Sequence, residues 1–206
     1  MYQITGDEAY GHKAIKMAKN FIESLMIDRK NASSTGRTGM FAVWSTALCY
    51  DWCYDLLTEE DKEHLAYYML LQSSYSEPGY PAIQYGVNYG KDTISHSEVN
   101  GHILEFQLLC GQFAASVAMY DEYPDVYNVA AGRILQYAVP AVNIFNRSAT
   151  FTEGSAYGIY RYYFEVVNNY MFKAMGHENV YDDEGLSLFD LIKESKEYLK
   201  TDSRKL

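Results

Sequence analysis

The sequence predicts an all-α protein. Apolar residues recur at three- and four-residue spacing along most of the chain. Cap and stop residues fall where those periodic stretches begin and end. Almost no run shows the strict apolar–polar alternation of a half-buried strand. Seven or so helices joined by short connections give successive antiparallel hairpins. Such hairpins build either a bundle or an α/α toroid, and periodicity alone does not choose between them. The 206 residues suffice for a single helical domain, 1–206, with a real core.

The first long helix is expected over 8–27, where Ala9, Ile15, Ala18, Phe21, Ile22, Leu25 and Met26 follow a 3.6-residue repeat. A polar loop from Arg29 to Gly36 separates it from a helix over 40–57. That second helix is apolar on more than one face, through Phe41, Val43, Trp44, Ala47, Leu48, Tyr50, Trp52 and Leu56, which predicts burial between neighbours. Thr58-Glu59-Glu60-Asp61 reads as an N-cap followed by acids in the first turn, opening a helix to about Gln72. Residues 73–100 form an irregular segment with recurring Gly, Pro and polar residues, and a stretch of this kind inside a compact domain is usually functional or mobile. Helix resumes over about 101–119. Pro124, suited to a first helical turn, opens another to about Val139. A loop or short extended piece covers Pro140 to Glu153. A helix then runs from about Ser155 to Met175 with Gly176 placed to stop it, and a last one spans about 184–199.

Composition narrows the function classes. The formal net charge is −10, which argues against general nucleic-acid binding, although a cleft can be locally basic on an acidic protein. No apolar run approaches the length of a membrane span, and no basic region followed by an apolar stretch marks a signal peptide. The three cysteines are Cys49, Cys53 and Cys110. They read as buried small apolar residues, because no partner stands at metal-ligand spacing. The 21 tyrosines are the larger anomaly. Aromatic surfaces suit the apolar faces of sugar rings, and tyrosine also fills cores and interfaces. Nucleotide-binding loops, HExxH and GxSxG are all absent, so phosphoryl transfer, zinc hydrolysis and serine acyl transfer lack support.

Several residues could carry chemistry. His102 and Glu105 are three apart on an expected helix and share a face, so they can hold one proton between them and offer hydrogen bonds to a substrate carboxylate. Such a pair more often braces or caps helices. Tyr157 stands where a loop becomes a helix, at an electropositive start that favours an anion. Among so many tyrosines, any one is more often structural. Arg161 lies one turn beyond Tyr157, and Arg37 lies in Gly36-Arg37-Thr38-Gly39, a flexible approach to a helix start. Either arginine could pair with a carboxylate or sulfate, or make an ordinary surface ion pair. His96 falls in the irregular segment and could approach a ligand. His12 and His64 fall on polar helix faces, and His177 lies in a loop after Gly176.

Six stretches, taken in order, resemble the heparinase II/III group of polysaccharide lyases, nearest to its heparinase II branch. They are Tyr50-Asp51-Trp52-Cys53-Tyr54-Asp55; Gly101-His102-Ile103-Leu104-Glu105; Tyr120-Asp121-Glu122-Tyr123-Pro124-Asp125-Val126-Tyr127-Asn128; Ala130-Ala131-Gly132-Arg133; Glu153-Gly154-Ser155-Ala156-Tyr157; and Met175-Gly176 through Asn179-Val180-Tyr181. Each is weak alone; the ordered set, over roughly 35–182, is specific. The resemblance implies an incomplete α/α toroid of antiparallel helical hairpins, followed in the full protein by β-sandwich domains absent from this chain. It implies β-elimination at a uronic acid within a glycosaminoglycan such as heparin or heparan sulfate, leaving an unsaturated uronate. The histidine and glutamate of the family's GHxxE fall on His102 and Glu105, its catalytic tyrosine on Tyr157, and its substrate-binding arginines on Arg37 and Arg161. Asn100, just before the GHxxE glycine, could reach the same carboxylate. With His96, Glu153 and Tyr160 it completes the expected substrate-binding set. The chemistry requires no cofactor and no metal. The implied partner is an anionic polysaccharide, with neither nucleic acid nor membrane, and a homo-oligomer is compatible with the full-length protein. A periplasmic or extracellular location is expected for that full-length protein.

Two departures qualify the resemblance. Residues 82–99 read as an insertion just before His102, with Tyr85, Asn88, Tyr89, Lys91 and His96 able to reshape a cleft. The chain also stops at Lys205-Leu206 with no β-rich region, where the family places a further catalytic histidine and sometimes a structural zinc site. The reading is therefore of a piece of a longer protein, weakly active or inactive alone. Three other readings compete: a module that holds acidic sugars without cutting them; a glycoside hydrolase with two carboxylates among Glu153, Asp121 and Asp51; and a purely structural helical protein, which leaves the spacing from His102 to Tyr157 as coincidence.

Overall fold

The computed structural model describes residues 1–27, 32–75, 103–140, 166–177 and 180, with backbone only for 26, 27, 32–38, 40, 74, 75, 103–109, 133, 137 and 138. Among these residues the protein is all-helical and contains no strand. The chain divides into two compact units, Met1–His96 with Gln107–Ala131, and Ser97–Phe106 with Gly132–Leu206.

The first unit opens with a single turn, α1 (Tyr2–Thr5). It closes on Gly6, whose φ of 71° lets its N–H return to the Tyr2 carbonyl in a left-handed cap. Asp7 then caps α2 (Glu8–Ile27), its Oδ1 accepting from the Ala9 N–H at 3.0 Å. The span of α2 agrees with the sequence expectation. Its buried face is Gly11, Ile15 and Ile22; Ala9 and Phe21, counted with that face from periodicity, are exposed.

The next helix, α3, covers Ala32–Trp52 and so begins earlier than the sequence implies. Ser33-Ser34-Thr35-Gly36 lies inside it rather than in a loop. Its buried stripe is Gly39, Ala42, Val43, Thr46, Ala47 and Tyr50, one side at helical spacing. Phe41 and Trp52 are exposed, which corrects the expectation of burial on more than one face. A short 3₁₀ turn (Tyr54–Leu56) leads to Thr58, the N-cap of α4 (Glu59–Tyr75). Thr58 Oγ1 accepts from the Asp61 N–H at 3.1 Å, and Asp61 Oδ2 accepts from the Thr58 N–H at 3.2 Å. This is a capping box with Asp in the reciprocal position. α2, α3 and α4 pack against one another, and Lys19 of α2 pairs with Asp61 of α4 at 2.6 Å. The structure carries α4 beyond Gln72 to Tyr75, and the buried Ser73 hydroxyl bonds back to the Met69 carbonyl at 2.7 Å instead of breaking the helix.

Helix α5 (Ile103–Ala118) is buried on every side over residues 110–116, from Cys110 through Phe113 to Ser116. It, rather than α3, is the enclosed helix. A turn follows in which the Tyr123 N–H reaches the Met119 carbonyl at 2.8 Å. α6 (Pro124–Arg133) then starts at Pro124, as the sequence indicates. Tyr127 on α6 meets Phe113 on α5 with ring centroids 5.7 Å apart, and Tyr120 meets it edge-on at 5.3 Å. A π-helical stretch (Ile134–Ala138) continues α6.

In the second unit, α7 is helical over residues 166–174, with Asn168, Asn169 and Phe172 buried. It ends as expected at Gly176, whose φ is 88°. His177 N–H reaches the Phe172 carbonyl at 2.9 Å and Gly176 N–H the Lys173 carbonyl at 3.0 Å, the paired bonds of a Schellman stop. The Phe172 and His177 rings meet edge-on at 5.5 Å and close the motif.

Candidate functional site

The structure places two of the sequence-derived site residues on described helices. Arg37 lies inside α3, in its second turn, which corrects its assignment to a flexible approach. Glu105 lies in the first turn of α5. Their side chains, together with His102, Tyr157, Arg161, Asn100, His96, Glu153 and Tyr160, fall outside the described residues, as does most of the irregular segment. The weaker histidine candidates divide. His12 is exposed, whereas the His64 ring meets Tyr68 at a tilt, centroids 4.8 Å apart, with Nε2 3.7 Å from a Glu23 carboxylate oxygen.

The best-defined polar cluster is one that spacing alone does not reveal. Tyr54, in the corner after α3, donates from its hydroxyl to Glu122 Oε1 at 2.6 Å. Lys62 on α4 approaches the same oxygen at 3.4 Å and Glu59 at 3.3 Å, and its ammonium stands 4.0 Å from the centre of the Tyr54 ring. Glu122 belongs to the turn between α5 and α6, so the cluster ties that turn to the α3–α4 corner. Burial opposes ionisation of Glu122, but the Tyr54 hydroxyl and Lys62 outweigh it and hold the carboxyl below its ordinary range. The bond to Glu122 pushes the Tyr54 phenol up, so the proton stays on the tyrosine. Contact with Tyr54 and Glu59 raises Lys62 against burial. Beneath them Tyr50 is fully buried; burial first and the Glu122 charge second raise its phenol. Neither Tyr50 OH nor Glu122 Oε2 has a hydrogen bond of ordinary geometry among the described residues. A neutral phenol, a carboxylate and a shielded ammonium can brace a corner firmly. As held here, every proton in the cluster is fixed rather than poised for transfer.

Asp61 behaves similarly. Burial raises it, yet Lys19 and the two bonds from Thr58 leave its carboxyl below the ordinary value. The cysteines are inert by environment. Cys53 and Cys110 are buried, and burial pushes the half-buried Cys49 thiol up to about 12. Burial also raises Cys53 and, more strongly, Cys110. Among the described residues no group of His, Cys, Asp or Glu is arranged to hold a metal ion, and no helix is long and apolar enough to cross a membrane.

No protein-family model matches the chain, and no curated protein matches it. One contact bears on the motif stretches nonetheless. Tyr54 and Glu122 are 68 residues apart, and each lies in one of the ordered stretches, Tyr50–Asp55 and Tyr120–Asn128. Co-occurrence of those stretches in a sequence was the available signal. That they meet, and through which atoms, needed the structure.

Proposed function

We propose that this chain is the helical part of a polysaccharide lyase of the heparinase II/III type, an incomplete α/α toroid acting on uronate-containing polysaccharides by β-elimination. The observation that carries the reading is the order of the motif stretches, above all Gly101-His102 to Glu105 followed by Glu153 to Tyr157. The joining of two other stretches through Tyr54 and Glu122 supports it, because independent chance matches have no reason to share a hydrogen bond.

The residue types suit the reaction. The C5 proton of a uronate is a poor acid while the adjacent carboxylate is fully charged. Donors aimed at that carboxylate let negative charge flow into it as C5 loses its proton, and stabilisation of developing charge is usually the largest catalytic contribution. His102, sharing a proton with Glu105, is assigned this task. Glu105 must be protonated or tightly paired, since a bare carboxylate would repel the substrate. Tyr157 removes the C5 proton or donates to the departing glycosidic oxygen, the two being compatible in a syn elimination. Arg37 and Arg161 hold the anionic chain in register, with Asn100, His96, Glu153 and Tyr160 as further contacts.

The test is product formation by the protein that carries this chain, on a panel of uronate polymers including heparin and heparan sulfate. Elimination gives a rise in ultraviolet absorbance from the new C4–C5 double bond. Tyr157→Phe is expected to reduce turnover by a factor of about 10²–10⁴ while largely preserving binding, and His102→Ala to weaken turnover strongly. Absence of unsaturated product on every polymer would overturn the reading, and a near-normal rate for Tyr157→Phe would remove that tyrosine from the mechanism.

A further inference from the structure

The outward side of α2 has a composition unlike the rest of this acidic protein. α2 carries His12, Lys13, Lys16 and Lys19 between its two acidic residues, Glu8 and Glu23. Lys19 is spent on Asp61. Lys13 and Lys16 are exposed and have no ion pair among the described residues. Beside them run Tyr10, Met17 and Phe21, which are 45%, 62% and 42% exposed. Their spacing of seven and four residues puts all three on one line along the helix, over about 16 Å from Tyr10 to Phe21. Lys13 stands one turn from both Tyr10 and Met17. The result is a ribbon of apolar faces with the Lys13 ammonium along one edge and Lys16 further round the helix on the same side.

From this we infer that the solvent face of α2 is a docking surface for an acidic polysaccharide chain. The inference rests on the uronate-polymer reading and adds to it residues that the proposed catalytic set does not include. Sugar rings present apolar C–H faces to Tyr10, Met17 and Phe21, while their carboxylates or sulfates meet Lys13 and Lys16. A locally positive strip concentrates such a polyanion even though the net charge is −10. A lipid surface fits less well. The apolar face that an interfacial helix would insert, Gly11, Ile15 and Ile22, is already buried inside the first unit. Nucleic acid fits less well too, since its binding is dominated by phosphate contacts from broad basic surfaces.

The experiment titrates the 206-residue chain with heparin, polygalacturonate, neutral dextran and short single-stranded DNA. It compares Lys13→Glu/Lys16→Glu and Tyr10→Ala/Phe21→Ala with the unaltered protein, using circular dichroism as the folding control. These side chains are exposed, so both variants are expected to keep the native spectrum. Each is expected to bind the uronate polymers about tenfold more weakly or worse: the lysine variant through loss and reversal of two modest exposed charge contacts, the aromatic variant through loss of two apolar stacking faces. Binding of the unaltered chain is expected to fall as salt rises. Equal binding by all three proteins overturns the inference and leaves the lyase reading standing. So does binding of single-stranded DNA as tight as that of heparin, which makes the face a general polyanion surface. If the unaltered chain binds no uronate polymer while the protein carrying it releases unsaturated uronate, the docking surface alone falls. If neither is seen, the underlying reading falls with it.

Discussion

Glu122 shows how a residue can look like a candidate catalyst and be held as a brace. Its Oε1 collects the Tyr54 hydroxyl at 2.6 Å and the Lys62 ammonium at 3.4 Å, so the carboxylate is fixed in its charged form. Glu122→Ala removes the acceptor for both. Water still reaches the cluster, so the expected loss in an equilibrium urea unfolding measurement is about 1 kcal/mol rather than the larger loss of a sealed site. Glu122→Gln keeps an acceptor for Tyr54 and loses only the charge facing Lys62, so it should fall between. An unchanged urea midpoint for Glu122→Ala would show that the clasp contributes nothing. The same residues mark what was legible at this scale. That Thr58 caps a helix and Gly176 stops one could be read directly, because each acts on backbone within five residues of itself. Tyr54 and Glu122 acquire their roles only from each other, across 68 residues. The proposed His102, Glu105 and Tyr157 set has the same character: spacing alone favours structural roles, and only the order of their flanking stretches lifts them above that.

At the scale of the element, the sequence succeeded where periodicity and local chemistry agreed and failed where a neighbour decided. Glu8–Ile27 has a clear apolar repeat bounded by a capping Asp7, and its limits were read correctly. The start of α3 was not, because Ser, Thr and Gly are weak helix formers and one sequence does not display the contact that favours them. That contact is visible at Gly39. It is buried, and a Cβ placed there would lie 2.9 Å from the buried Gln72 Cδ on α4 and closer still to its amide nitrogen. At this position close packing opposes the residue that helix propensity would favour. Two glycine-to-alanine changes should therefore move stability in opposite directions. Gly132, inside α6, has nothing within 4 Å of a new Cβ. Gly132→Ala should stabilise by about 0.4–1 kcal/mol through the unfolded chain. Gly39→Ala should destabilise by about 1–3 kcal/mol through overpacking, despite the better helix former. Thermal unfolding of the two variants checks this. Equal and positive shifts would mean that the Gln72 amide swings aside at little cost, so that packing at Gly39 does not oppose the better helix former. Exposure differs from the apolar pattern for a related reason: Phe21, Phe41 and Trp52 are apolar yet exposed, because the pattern does not say which apolar residues a neighbour covers.

At the scale of the whole molecule, the shifted groups among the described residues all lie in the first unit and point to stability bounded on both sides in pH. Asp61 and Glu122 titrate below their ordinary values in the folded protein. Each therefore adds stability that is present above the unfolded pKa of about 4 and is lost as pH falls through the folded value. Tyr50, Tyr54, Tyr68 and Tyr127 titrate above their ordinary values, as do the three thiols, with Cys49 near 12. Their contribution is complete below the unfolded values, about 8.5 for a thiol and about 10 for a phenol, and is lost as pH rises through the folded ones. Denaturant midpoints followed by circular dichroism should therefore be nearly flat from about pH 5 to about pH 8, then fall on either side. Glu122→Gln should make the acid limb shallower and should also soften the alkaline limb, since the Glu122 charge helps to raise Tyr54 and Tyr50, leaving that limb to burial of Tyr50 and the thiols. An acid limb as steep in Glu122→Gln as in the unaltered protein would place the acid sensitivity elsewhere. A midpoint unchanged between neutral pH and pH 11 would be incompatible with phenols and thiols enclosed as the structure encloses them, because burial of a group that must ionise always costs stability once solvent pH passes its free value.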